Sequence, residues 1–381
     1  MDNPDIVFAL TGDLYRNARA LKQLRVLADQ GWTVHVLCIS GQAPRVPLPE
    51  TVSVEPLTVS KTRGYKFFRQ VHEQFLEAAG RCKAACYHAS DLYGLSAMCM
   101  IASNNGASYT YDSRELYAHV SATTRRPWVR WYWEYIESKY IGGAAAVFTV
   151  SERIAKHLTA TYRIPRPTLV WNVPPRAHVV RSDKLSNLAN LETSIPIVLH
   201  LGQLRRARGC ETLVRSMKSV EAARLVFLGY GPEKENLQSL SEKLGLSDRI
   251  IFLHPVPPDE VLDYASGATV GVTLLQDTCL NHRYALPNKL FDYLTAGIPV
   301  LASDLPEIRA LVQGYNVGKI VDPKDPEAVA SVLNFMIGNG SEGEIWSRNA
   351  ERLCETFNWE NASQRFVATF RQIIAGYRVS L

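Results

Sequence analysis

The chain has 381 residues, more than one ordinary hydrophobic core accommodates, so two domains are expected. Its 46% hydrophobic and 21% charged residues are those of an ordinary soluble globular protein. The net charge of +5 is too small and too dispersed for a nucleic-acid binder, but it suits an anionic small molecule or transient contact with an acidic membrane surface.

The N-terminus opens with Asp2 and Asp5 and runs straight into an apolar strand, Ile6 to Leu10, without the basic start and long apolar core of a secretion signal. Leu14 to Gln30 reads as one amphipathic helix, with Ala18, Leu21, Leu24 and Ala28 at helical spacing and Gly31 as its stop. Thr33 to Ile39 is the next strand, and a less regular region follows. Ala84 to Tyr87 then reads as a short strand, Leu92 to Ser103 as a helix, and Ser108 to Tyr111 and Ala145 to Val150 as strands. The aromatic and apolar residues between them (Trp128, Trp131, Tyr132, Tyr135 and Ile136 at helical spacing, near Arg125, Arg126 and Arg130) read first as a core-facing helix with a charged start. The other reading is a basic aromatic surface able to meet a lipid head group. Ser151 caps a helix to about Thr161, and Thr168 to Trp171 is a further strand.

From Pro174 to Pro196 the character changes, and the polar run around Ser182, Asp183, Ser186 and Asn187 reads as an interdomain linker. Alternation then restarts with strands at Ile197 to Leu201, Arg224 to Leu228, Ile250 to Leu253, Val270 to Leu275 and Pro299 to Ala302. The last segment is helical, with Phe366, Phe370 and Ile374 on one face. The expected division is an N-terminal domain at 1–178, a linker at 179–195, a C-terminal domain at 196–359, and a final helix, 360–381, returning to the N-terminal domain. The fold class is α/β, as two doubly wound Rossmann-like domains facing a cleft. No stretch approaches roughly eighteen apolar residues, so no membrane span is expected. The seven cysteines show neither paired metal spacing nor a disulfide framework; reduced, buried thiols in a cytosolic protein, and no metal site, are expected.

In such sheets ligands bind at the carboxyl ends of strands. Four groups in the C-terminal half fall there or on a helix start. Gly202-Gln203-Leu204-Arg205-Arg206-Ala207-Arg208-Gly209 places three arginines beside a helix start, where guanidinium binds phosphate oxygens in pairs. Gly229-Tyr230-Gly231 lets backbone come close to a ligand, or simply makes a tight turn. Pro255 and Val256 follow another strand, as main-chain contacts for a base or as a rigid proline turn. Thr278 to Asp304 reads as a polar loop, a short helix opened by Pro287 at its first position, and a strand; Asn288 and Asp292 share one helix face, with Lys289 beside them. In the N-terminal half Gly12, Asp13 and Arg16, then His88 and Asp91, then Arg114 and Glu115, fall at strand ends. Asp91 is also a candidate helix cap, and Arg114 and Glu115 a candidate pair.

Together these motifs resemble the retaining glycosyltransferases of family 4, of GT-B architecture, most closely from Leu201 to about Leu333. The resemblance implies that Arg208 stands where that family has a diphosphate-binding lysine, and Asp292 where it has the second glutamate of a pair, which holds the donor ribose. It implies a nucleoside framed by Gly229 to Gly231 and by Pro255 and Val256, with Lys289 and the amides of Ala285 and Leu286 near the diphosphate or sugar. The pattern departs at Tyr284, in place of the first glutamate, and at Gln203, in place of an arginine for which Arg205 or Arg206 compensates. It departs also at Arg114 and Ser90, in place of histidines. The implied activity is transfer of a sugar from a UDP- or GDP-linked donor to an acceptor (a glycan, a lipid-linked molecule or a small metabolite) on the N-terminal domain. Arg208, Lys289, Asp292 and Arg205 would carry the reaction. Retention, no cofactor, no metal and a cytoplasmic location with peripheral membrane contact are further expectations. An epimerase of the same fold and a non-catalytic nucleotide-sugar binder are the alternatives.

Overall fold

The computed structural model describes residues 3–39 and 47–380; Asp2, the start of the less regular region and Leu381 lie outside them. The chain forms two compact units, residues 1–172 with 361–381, and residues 173–360.

The first unit is a parallel sheet of seven strands: β1 (Ile6–Leu10), β2 (Val34–Cys38), β3 (Val52–Pro56), β4 (Cys86–Ala89), β5 (Ser108–Ser113), β6 (Ala146–Thr149) and β7 (Thr168–Leu169), in the order β3-β2-β1-β4-β5-β6-β7. β1 and β2 are buried at every position, because both faces of a doubly wound sheet are covered. The sequence region read as irregular holds the edge strand β3 and the helix Gly64–Gly80, which buries Val71, Phe75, Ala78 and Ala79. The helix expected from Leu14 is interrupted. Asp13 caps a single turn, Leu14–Arg16, and Asn17 caps the helix proper, Ala18–Ala28, by accepting from the Ala20 amide at 3.0 Å. This turn sets Arg19 inward. Arg19 is buried and donates two hydrogen bonds to Asp112, at 2.7 and 2.9 Å, and a third to the Val170 carbonyl. The register Ile6↔Cys86 to Ala9↔Ala89 moves β4 two residues later than its sequence pattern.

The helix Pro127–Ile141 turns Trp133, Glu137 and Ile141 inward, whereas Trp128, Trp131 and Tyr135 are exposed. The core-facing reading of those three aromatics is therefore corrected. From residue 361 the final helix, Trp359–Ser380, belongs to this unit, where Phe366 and Phe370 are buried against Phe148.

The second unit is a parallel sheet of six strands: β8 (Ile197–Gln203), β9 (Arg224–Tyr230), β10 (Ile250–Leu253), β11 (Val270–Thr273), β12 (Val300–Ser303) and β13 (Gly318–Val321), in the order β10-β9-β8-β11-β12-β13. Its core gathers Leu213, Val214, Leu225, Val272 and Leu333. The polar stretch after Pro174 is not a free connector. Leu185, on the short helix Lys184–Leu188, is buried; Ser182 donates its amide to Ser266 and Lys184 pairs with Asp263 at 2.6 Å.

Candidate functional site

Strand order reverses at β8 in the second sheet. β8 runs beside β9 along its whole length, from Ile197↔Arg224 to Gln203↔Tyr230, but meets β11 only at Val270↔Val198 and Gly271↔Leu199. Where β8 and β11 part, Tyr293 enters. Its hydroxyl accepts from the Leu201 amide at 2.8 Å and faces the Leu199 and Val272 carbonyls, each at 3.1 Å, as donor. One phenol thus satisfies the backbone groups that a continued ladder would have used. Gly271 makes the room, since a Cβ there would stand 2.3 Å from the Tyr293 ring. The opening is a topological switch point, where doubly wound sheets bind ligands.

The arginine loop is seated in this opening by glycines. A Cβ on Gly209, at φ +70°, would stand 2.3 Å from both Cβ and O of Leu274, just past the end of β11. The loop is tied on its other side as well: Leu204 donates to the Tyr230 carbonyl and the Gln276 amide donates to the Ala207 carbonyl. Gly229 and Gly231, read as ligand-approach glycines, have a different task. Cβ atoms there would stand 1.9 Å from the Gly202 carbonyl and 2.2 Å from the Leu204 carbonyl, so they let β9 close against the arginine loop.

Of the three arginines, Arg208 is the one whose charge acts on Lys289, in the helix Asn288–Thr295, and on His200. Arg206 is exposed, with its Nε 3.4 Å from Glu233. Arg205 is exposed. Half-buried Lys289 reaches inward from the first turn of that helix, and its Nζ lies 3.0 Å from His200 Nε2. His200 is buried on β8, with Cys210 Sγ 3.6 Å away on the same nitrogen. A lysine ammonium can only donate, so in that state Nε2 accepts and the ring proton sits on Nδ1. Burial, reinforced by the charge of Arg208, pushes the Lys289 amine down to about 7, with Cys210 and Asp292 opposing. Burial first, then Lys289 and Arg208, hold His200 far below its usual range, and burial pushes the Cys210 thiol up to about 11. The result is a cationic recess, with Arg208 and Lys289 over a neutral histidine and thiol. Neither His200 nor Cys210 is legible as a site residue: His200 falls in an apolar strand that reads as core, and Cys210 is a lone cysteine with no partner residue near it in sequence.

The remaining donor-side residues stand around this recess. Pro287 is the cap of the helix rather than its first residue, so Asn288 opens it, exposed, with half-buried Asp292 one turn on. Ala285, Leu286 and Tyr284 are half-buried between this helix and the short helix Leu280–Arg283. Arg283 turns to Asp277. Gln203 and Tyr230, ends of paired strands, are exposed, as is Pro255; Val256 is half-buried.

The N-terminal candidates divide. His88 lies within β4, not after it. It is fully buried, bonded through Nδ1 to Thr110 at 2.8 Å and enclosed by Phe8, Phe366 and Phe370, and burial pushes it down to about 4. It is a core histidine and is withdrawn from the acceptor side. Asp91, also buried, caps the helix Leu92–Asn104 through the Tyr93 and Gly94 amides and binds the Thr11 amide at 2.8 Å. Its task is to tie the ends of β1 and β4 together. Arg114 does not pair with Glu115; its Nε donates to the Tyr117 hydroxyl at 3.0 Å, and Glu115 is exposed. Asp13 caps its turn and pairs with Arg16 at 3.4 Å. Gly12, at φ +119°, has open space where a side chain would stand.

Residues 17–172 match the family model described as Glycosyl transferase 4-like domain, and residues 183–353 that described as Glycosyl transferases group 1. D-inositol 3-phosphate glycosyltransferase of Acidothermus cellulolyticus is 26% identical over 198 residues, 48% of this chain and 42% of that protein. The chain thus spans less than half the length of this curated relative. Sucrose-phosphate synthase from Thermosynechococcus elongatus superimposes with a TM-score of 0.84 at 17% identity, over 98% of this chain and 100% of that one. HepE of Anabaena, solved in complex with UDP-glucose, does so with 0.72 at 14% identity, over 98% and 100%. The two structural likenesses show the fold.

Proposed function

We propose that this chain, whose residues 17–172 match the glycosyl transferase 4-like model and 183–353 the glycosyl transferases group 1 model, transfers a sugar from a nucleotide-linked donor, held by the second unit, to an acceptor held by the first. The observation that carries this reading is the convergence of Arg208 and Lys289 where β8 and β11 part. Two cations in a partly desolvated recess suit the diphosphate that must leave with the nucleotide. The guanidinium spans two phosphate oxygens, and the lysine offers a compact charge behind them. The exposed ends of β9 and β10, with Tyr230, Pro255 and Val256, frame the nucleoside, and Asp292 takes its sugar hydroxyls. HepE binds UDP and UDP-glucose, so a uridine donor is the first to test.

The reaction retains the anomeric configuration, with a donor phosphate oxygen receiving the acceptor proton. Arg208 and Lys289 meet the charge of the leaving group without a metal ion, so activity should survive a chelator. Gly12, Asp13, Arg16, Arg114 and Glu115, the strand-end groups that remain once His88 and Asp91 are assigned to the core, present the acceptor.

Release of nucleotide diphosphate from a panel of nucleotide sugars, with and without acceptors, tests the proposal. Acceptor-dependent release is expected, and Arg208→Ala should lower it by roughly 100-fold or more, the scale on which a charge-stabilising donor contributes. Interconversion of the donor sugar without acceptor would indicate an epimerase, and wild-type turnover in Arg208→Ala would remove that residue from the mechanism.

A further inference from the structure

The helix Pro127–Ile141 has two aromatic faces, and only one is needed to hold it. On the inner face Trp133 packs between Phe68 and Tyr93, at 4.8 and 5.0 Å between ring centroids. One turn on, buried Glu137 accepts hydrogen bonds from the Tyr111 and Tyr162 hydroxyls at 2.7 and 2.8 Å. These contacts fix the helix to its sheet. The outer face then carries Trp128, Trp131 and Tyr135, three and four residues apart and so on one stripe, exposed to 68%, 66% and 50%. Trp131 and Tyr135 stack on each other. Tyr65, exposed to 66% on the first turn of the neighbouring helix Gly64–Gly80, joins the stripe through an edge contact with Tyr132.

The rim of the stripe is cationic. Arg125, Arg126 and Arg130 lie at its start, Lys139 at its end, and Arg63 and Lys66 beside Tyr65, all exposed. The acidic side chains of the helix do not balance them: Glu137 is buried, and half-exposed Glu134 is shared by Arg130 at 3.5 Å and His119 at 3.4 Å. Exposed tryptophan and tyrosine on one stripe within a ring of arginine and lysine fit the boundary of a bilayer, where indole and phenol rings lie at head-group depth and cations meet lipid phosphates. Among the described residues no helix is long and apolar enough to cross a membrane, so the contact is superficial.

We propose that this face docks the first unit on a bilayer surface containing anionic lipids. Partitioning of the full chain onto vesicles of phosphatidylcholine, with and without phosphatidylglycerol, tests it. Expected are binding to the anionic vesicles alone, loss of that binding in high salt, and quenching of tryptophan fluorescence by brominated acyl chains. Trp128→Ser with Trp131→Ser should lower the partition coefficient about 10-fold or more, and Arg125→Glu with Arg126→Glu at least as much. Both double variants should keep the wild-type melting temperature and the wild-type turnover of donor in vesicle-free solution, since these side chains touch neither core nor recess. Absence of vesicle binding, equal binding to neutral vesicles, or undiminished binding of both variants would overturn the proposal. So would concentration-dependent self-association abolished by the tryptophan substitutions, which would give the face to a second copy of the chain.

Discussion

A lysine held at 3.0 Å from a buried histidine has a proton to exchange when an anion arrives. With its amine pushed down to about 7, Lys289 is increasingly neutral in the empty recess as pH rises through that value. A bound diphosphate favours the ammonium, so binding takes up a proton above that pH and affinity falls as pH rises. His200 stays neutral and Cys210 protonated across the same range, because their shifts run further from it. A nucleotide sugar has no phosphate proton to lose there, so its dissociation constant from about pH 6 to pH 9 reports the lysine. Calorimetry in two buffers of different ionisation enthalpy counts the proton directly. Affinity independent of pH, with no proton exchanged, would show that Lys289 keeps an ordinary charge. The two cations of the recess were legible because charged residues in a strand-end loop or a helix start have few structural tasks. His200 and His88 were not, for opposite reasons. His200 sits in the apolar strand Ile197–Gln203, and only the three-dimensional neighbourhood of Lys289 gives it a partner. His88 looked like a strand-end residue because the pattern put the strand end at Tyr87; a shift of two residues carries it into the core.

At the scale of elements, loop geometry depends on glycines that composition alone does not separate. Gly202 and Gly209 both have positive φ, yet only Gly209 is hemmed in, by Leu274. Gly209→Ala must therefore move the arginine loop off β11, whereas Gly202→Ala meets no atom within 4 Å and bears only the backbone preference. That preference costs about 1 to 2 kcal/mol, or a few degrees of melting temperature. Gly209→Ala should lower nucleotide diphosphate affinity by about 10-fold or more, and Gly202→Ala should leave affinity within a few-fold. Thermal shift with and without UDP compares them, and equal behaviour of the pair would mean that the loop is not seated by this contact. The alternation of strand and helix was readable because buried parallel strands are continuous apolar runs. The edge strands β3 and β13 were not, since both carry half-buried positions and a charged residue, Glu55 and Lys319. Nor could periodicity show Tyr293 crossing to β8, because a buried phenol on a helix reads as one more core aromatic.

For the whole molecule, the path of the chain matters as much as its two sheets. It builds one core, builds a second, and returns to the first through the helix Trp359–Ser380. The apolar face of that helix and its return to the first domain were expected from sequence, but its partners there were not, because Phe366, Phe370 and Ile374 do not by themselves name the side chains they meet. The structure supplies the answer in Phe148 and His88, over which Phe366 and Phe370 close. Truncating a buried phenylalanine costs about 3 to 5 kcal/mol, and a domain holds only about 5 to 15. Phe370→Ala should thus weaken the first unit by that amount while leaving the second unchanged. A chain ending at Glu360 should lose the fold of residues 1–172 but keep nucleotide binding by residues 173–360. Hydrogen exchange resolved by peptide separates the two, with protection by UDP at 202–210 and 288–293 persisting in both variants. If protection collapsed across the second unit as well, the two cores would be one cooperative body, and the donor recess could not be treated as a property of the second unit alone.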